Sequence, residues 1–176
     1  MKNILVATDG STQAGRAVAK AAELAKTFGA ALTIVNVQDA RPLRDMETHF
    51  AEVELADRLK NYAFPSTATG GGLNVETGLQ DALVAHDQQS LALRQVLSDN
   101  ILLRARLIAN QAGATTVSTR SANGDAANEI VSAARAAGAD LIVLGRRGLS
   151  GIAELLLGSV SQKVLHQAQV DVLAVA

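Results

Sequence analysis

Apolar and polar positions along this chain follow two alternating patterns. Short, nearly unbroken apolar runs occur at Ile4–Ala7, Ala31–Val37, Leu141–Leu144 and Val170–Val175. Between them, apolar residues return every three or four positions. The runs suit strands buried on both faces of a parallel sheet, and the returns suit helices with one apolar stripe. Asn3–Thr8 is predicted as the first strand, with Asp9-Gly10-Ser11 as its turn. Ser11 can cap a helix that turns Ala14, Ala17, Val18, Ala21, Ala25 and Phe28 inward, and Gly29 stops that helix. ALTIVNV is the second strand. A long helix starts between Asp81 and Ser90 and ends near Ala112-Gly113, with Leu93, Leu97, Ile101, Ala105, Ile108 and Ala112 as its stripe. A threonine-rich third strand is predicted at Thr115–Thr119. Asn123-Gly124-Asp125 then turns and caps a helix that Gly138 ends. The Leu141 run is the fourth strand and Val170–Val175 the fifth.

Strands alternating with helices imply the α/β class: an open five-stranded parallel sheet with helices on both faces. With strand order 3-2-1-4-5, the order reverses between strands one and four. Ligands of such sheets bind there, beyond the carboxyl ends of the strands. One domain covers residues 1–176. An unassigned insertion lies at about 38–80, where PSTATGGGLN reads as a loop by composition.

Composition narrows the chemistry. The chain has no cysteine, which removes disulfides, thiolate catalysis and cysteine zinc sites. A net charge of −1 gives no global attraction to nucleic acid. No apolar run approaches the ~20 residues that span a bilayer, so no membrane insertion is expected. The opening MKNILVATDGS reads as a strand of the fold rather than a signal segment. A cytoplasmic protein is expected.

The richest local chemistry follows the fourth strand. Gly145, Arg146, Arg147 and Gly148 come first, and nine residues later Gly158-Ser159 open the next helix. Ser159 stands where an N-cap belongs, with Gln162 at capping-box spacing. The first N–H groups of a helix lack internal partners, and its dipole attracts anions to that end. Strand, glycine turn and helix start together suit a phosphate cradle. The equipment of an efficient phosphotransferase is not evident. There is no GxxxxGK[ST] run, and His49, His86 and His166 lie outside the two turns.

Gly145-x2-Gly148-x9-Gly158-Ser159 resembles the nucleotide-binding signature G-x2-G-x9-G-[S/T] of the universal stress protein family. ILVATDGS near the start and ADLIVLGRRGLSGIAELLLGSVSQKVLHQAQVDVLAV near the end are similar to that family as well. The resemblance implies its adenine nucleotide alpha-hydrolase-like fold, and ATP as ligand, carried with Mg where Asp9 helps hold the ion. It implies that Ala7, Thr8 and Asp9 line the adenosine end and that Val37 meets adenine. Leu144 ends the fourth strand at the site, and Gly145 and Gly148 let the following loop pass close to ribose and phosphates. Arg147 adds a phosphate contact. Gly158, Ser159, Val160 and Ser161 supply N–H groups and hydroxyls to the phosphates. It further implies a homodimer through the C-terminal strand. The function expected is that of a stress-response regulator with an unidentified regulatory protein partner. Two alternatives stand beside it: a slow ATPase or nucleotidyl transferase of related fold, and an interaction module that binds no nucleotide and works through the insertion.

Overall fold

The structure is a computed structural model, described for residues 1–38, 75–146 and 157–176, the side chains of 75–90 apart. Most of the expected insertion, with His49, lies outside the described residues, as do Arg147 and Gly148. The chain divides into two compact units, Met1–Ala40 with Ser98–Ala176, and Arg41–Leu97.

The first unit holds the whole sheet: β1 (Asn3–Ala7), β2 (Ala31–Gln38), β3 (Val117–Asn123), β4 (Leu141–Gly145) and β5 (Asp171–Val175). The order is β3-β2-β1-β4-β5 and every pairing is parallel, as expected. Its helices are α1 (Thr12–Phe28), the later part of α2 (Val75–Gln111), α3 (Ala126–Ala136) and α4 (Ser159–Gln167).

Strand alternation divides the core in two. Ile4 and Val6, Leu32 and Ile34, and Leu141 and Val143 point to one face. There they meet Ala17, Val18, Ala21, Ala22 and Ala25 of α1 and Leu102, Ala105 and Ala109 of α2. Leu5, Val35, Ile142 and Leu144 point to the other, against Ile130, Ala133 and Ala134 of α3 and Val164 of α4. Fully burying a side chain such as Ile142 stabilises the fold by about 1.5–3 kcal/mol. Alanine dominates the buried face of α1, so small side chains let that helix lie close on the sheet.

Four details differ from the sequence reading. Helix α2 begins at Val75, before the expected start. Within its sheet-packed part Ala105 of the expected stripe is buried, whereas Ile101, Ile108 and Ala112 are half-buried, and Ser98, Leu102 and Ala109 beside that stripe are buried. Strand β3 runs Val117–Asn123 rather than Thr115–Thr119. It is an edge strand with mostly exposed polar side chains, so its limits follow the backbone ladder to β2 rather than an apolar run. Phe28, expected inward, is 53% exposed, because α1 ends there and Gly29 turns away at φ +63.

Candidate functional site

β1 and β4 are parallel neighbours with Val6 opposite Val143, so the turns after them leave the sheet side by side. This is the reversal point of the strand order.

The β1 turn is held by its own side chains. Thr8 N donates to Val35 O at 2.9 Å, continuing the β1–β2 ladder past the last strand residue. Thr8 O accepts from Asn36 Nδ2 at 2.8 Å. Thr8 Oγ1 accepts from Gly10 N at 3.2 Å, and Asp9 Oδ1 accepts from Ser11 N at 3.0 Å. Ser11 Oγ accepts from Ala14 N at 3.2 Å and so caps α1, as expected. Gly10 sits at φ +80, and a Cβ there would stand 3.0 Å from Ile101 Cγ1 of α2. Backbone conformation and close packing both call for glycine at this position. Thr8 is buried and Asp9 half-buried.

The β4 turn is held by main chain. Arg146 N donates to Val175 O at 2.6 Å, and Arg146 O accepts from Gly158 N at 2.8 Å. Ser161, only 6% exposed, donates its hydroxyl to Gly145 O at 3.0 Å, which ties the first turn of α4 to the end of β4. The expected Ser159 cap is corrected here. Gly158 is the N-cap, at φ −69 and ψ 155, and no side chain of the described residues caps the helix. The reason is register: Gly158 O already accepts from Gln162 N at 2.9 Å, which puts Ser159 inside the helix as its first residue. The N-terminus of α4, with Ser159 and Val160 exposed, therefore has main-chain donors and the positive end of the helix dipole that no side chain of the described residues caps.

Asp125 caps α3 by accepting from Asn128 N at 3.1 Å, as the sequence predicts. It also receives Lys163 Nζ of α4 at 3.3 Å, which joins the two helices of that face. The Asn128 N–H, then Lys163, hold its carboxyl below the usual carboxylate value. His166 lies in the last turn of α4, at the helix's negative end.

The structure places the described members of the expected site as follows. Ala7, Val37 and Leu144 all belong to the core on the α3–α4 face. Thr8 and Asp9 form the β1 turn, Gly145 ends β4, and Gly158, Ser159, Val160 and Ser161 form the start of α4. The Ser161 hydroxyl is engaged by Gly145 O. Asn36 was not nominated from the sequence. Its only signal is a polar residue interrupting the apolar run ALTIVNV. Among the described residues no group of three His, Asp or Glu side chains could hold a metal ion, and no helix is long and apolar enough to cross a membrane.

Comparison with known proteins agrees with this architecture. A solved universal stress protein in complex with cAMP matches at 28% identity and TM-score 0.62, over 99% of this chain and 97% of that one. Universal stress protein UspA from Lactobacillus plantarum matches at 23% identity and TM-score 0.61, over 99% and 97%, a likeness of fold. Both share the adenine nucleotide alpha-hydrolase-like fold expected above. The stress response protein NhaX of Bacillus subtilis is 29% identical over 172 residues, covering 98% of this chain and 96% of that protein. The family model described as universal stress protein family matches residues 1–176. With sheet order, switch-point turns and whole-length match in agreement, the chain belongs to the universal stress protein family.

Proposed function

We propose that this chain is an ATP-binding regulatory protein of the stress response, with the nucleotide held between the turns after β1 and β4. The observation that carries the reading is the N-terminus of α4. It is anchored to the β4 turn through Gly158 N and Ser161 Oγ, yet no side chain of the described residues caps it. Oriented main-chain N–H groups at a helix start suit phosphate oxygens. The cAMP complex of a relative at 28% identity supports an adenine nucleotide as the ligand class.

In this reading Ser159, Val160 and Ser161 meet the phosphates with their N–H groups. Gly145 and Gly148 let the backbone pass close, and Arg147 adds positive charge. Ala7, Thr8, Asp9, Val37 and Leu144 receive the adenosine. Mg would arrive with the phosphates, since no cluster among the described residues would bind it alone, and Asp9 is the carboxylate of the β1 turn. One turn carboxylate and a set of main-chain donors suit binding; efficient phosphoryl transfer needs a positioned base and metal as well. Nucleotide occupancy would then change the surface offered to a regulatory partner in the cytoplasm. β5, an edge strand whose residues are partly exposed, would pair with its twofold mate in a homodimer.

Calorimetric titration with ATP, with and without Mg, tests the reading. A denatured sample should be checked at the same time for nucleotide carried through purification. Binding at micromolar Kd or tighter is expected (about −8 kcal/mol). No binding and no released nucleotide would overturn it.

A further inference from the structure

We infer that Asn36 is a positioning residue for the adenosine end of the site, although it has no place in the glycine signature. The inference rests on the nucleotide reading above and adds a residue to it. Asn36 lies on β2, two positions beyond Ile34, and so shares that residue's face of the sheet. Leu32 and Ile34 precede it there as fully buried apolar side chains. Asn36 is itself only 4% exposed. Burying a carboxamide in such a place is unfavourable unless its polar atoms find partners. No buried side-chain nitrogen or oxygen among the described residues is left without one.

The partner of Asn36 Nδ2 is Thr8 O, at 2.8 Å, the carbonyl of the first residue past β1. Thr8 N is already fixed by Val35 O at 2.9 Å. The two main-chain polar groups of Thr8 are thus held by consecutive residues of β2. Thr8 O belongs to the peptide that leads into Asp9, so the Asn36 bond sets the direction in which the chain leaves the sheet. The Thr8 Oγ1–Gly10 N and Asp9 Oδ1–Ser11 N bonds follow from that direction. In register, Asn36 lies opposite Ser121, whose Oγ is 3.0 Å from Ser98 Oγ of α2. Asn36 therefore belongs to a polar strip inside an otherwise apolar layer, and it is the member that reaches the β1 turn. The start of α4 is built separately, on Gly145 and Arg146. Losing the Asn36 donor should disturb one end of the ligand and leave the other.

Asn36→Leu is similar in size and removes the donor. Titrations should compare ATP, adenosine and inorganic tripolyphosphate on wild type and variant, with thermal melts alongside. ATP and adenosine are expected to weaken by about tenfold, the worth of one buried hydrogen bond. Tripolyphosphate should stay within about twofold. Asn36→His places an imidazole N–H near the original amide and should keep ATP within about threefold of wild type. It also provides the test if the leucine variant fails to fold. Equal weakening of all three ligands, or unchanged adenosine binding in Asn36→Leu, would overturn the inference and leave the nucleotide reading standing. Wild type that binds neither ATP nor adenosine would overturn both.

Discussion

Helices α1 and α4 each follow an interior strand at the same, carboxyl end of the sheet, yet they treat their free N–H groups in opposite ways. Ser11 caps α1 and Asp9 accepts from the Ser11 N–H, so that turn satisfies its own donors with its own side chains. Helix α4 starts at a glycine, and its Ser161 hydroxyl reaches backward to a carbonyl rather than to the free N–H groups. Helix α3, capped by Asp125, resembles α1. A strand–turn–helix unit with a side-chain cap is complete by itself; one without is open to an outside anion. What sets the start of α4 apart from the starts of α1 and α3 is therefore a missing capping side chain at the N-cap rather than the presence of glycine in the turn.

The largest expected effect comes from closing the open helix. Gly158 has extended φ and ψ that any residue can adopt, so Gly158→Asp should fold and cap α4 by itself. Its stability should rise by a few tenths of a kcal/mol. ATP affinity should fall by at least about a hundredfold, because a carboxylate then stands where phosphate oxygens are proposed. Calorimetry and urea unfolding together check both signs, and unchanged affinity would erase the contrast with α1. Next is Ser161→Ala, which frees Gly145 O at a half-buried position. Unfolding free energy should drop by about 1–2 kcal/mol. Opening the capped helix is the converse test: Ser11→Ala should cost about 1 kcal/mol in urea unfolding. ATP affinity should then stay within about twofold of wild type.

The smallest effect is a pH dependence. The Asp140 carboxylate accepts from Lys2 N and Asn3 N, fastening the start of β1 to the start of β4. Those N–H groups hold its carboxyl below the usual 3.8, as the Asn128 N–H and Lys163 do for Asp125. A lowered native value means the stabilisation is present above about pH 3.8 and lost as pH falls through the native value. Urea unfolding should weaken on going from pH 5 toward pH 3. Asp140→Asn together with Asp125→Asn should flatten that slope.

Much of this was legible in the residues. β1, β2 and β4 announce themselves because buried parallel strands need apolar residues on both faces, and β5 shows the same apolar run although it lies at the edge and is partly exposed. Their order followed from the fold class. β3 is at the edge and carries Ser118, Thr119 and Arg120 outward, so its limits were invisible to hydropathy. The start of α2 was equally hidden, since its early residues mix apolar and polar positions without a clean stripe. At the site, the glycines were readable as spacing, whereas the choice between Gly158 and Ser159 as cap was not. Both residue types cap well, and only the Gln162 N–Gly158 O bond decides. Asn36 was visible as an interruption, but its purpose depends on which β1 atom lies across from it.

The main chain of Arg146 joins three elements at one residue. Its N–H donates to Val175 O of β5 and its carbonyl accepts from Gly158 N at the start of α4, next to the Gly145 carbonyl that takes the Ser161 hydroxyl. Both Arg146 bonds are made by backbone groups, so the joint does not depend on which side chain stands at 146; proline alone, lacking the N–H, would break it. The arginine side chain is thus released from any structural duty at this junction and can be exchanged while β4, β5 and α4 stay fastened.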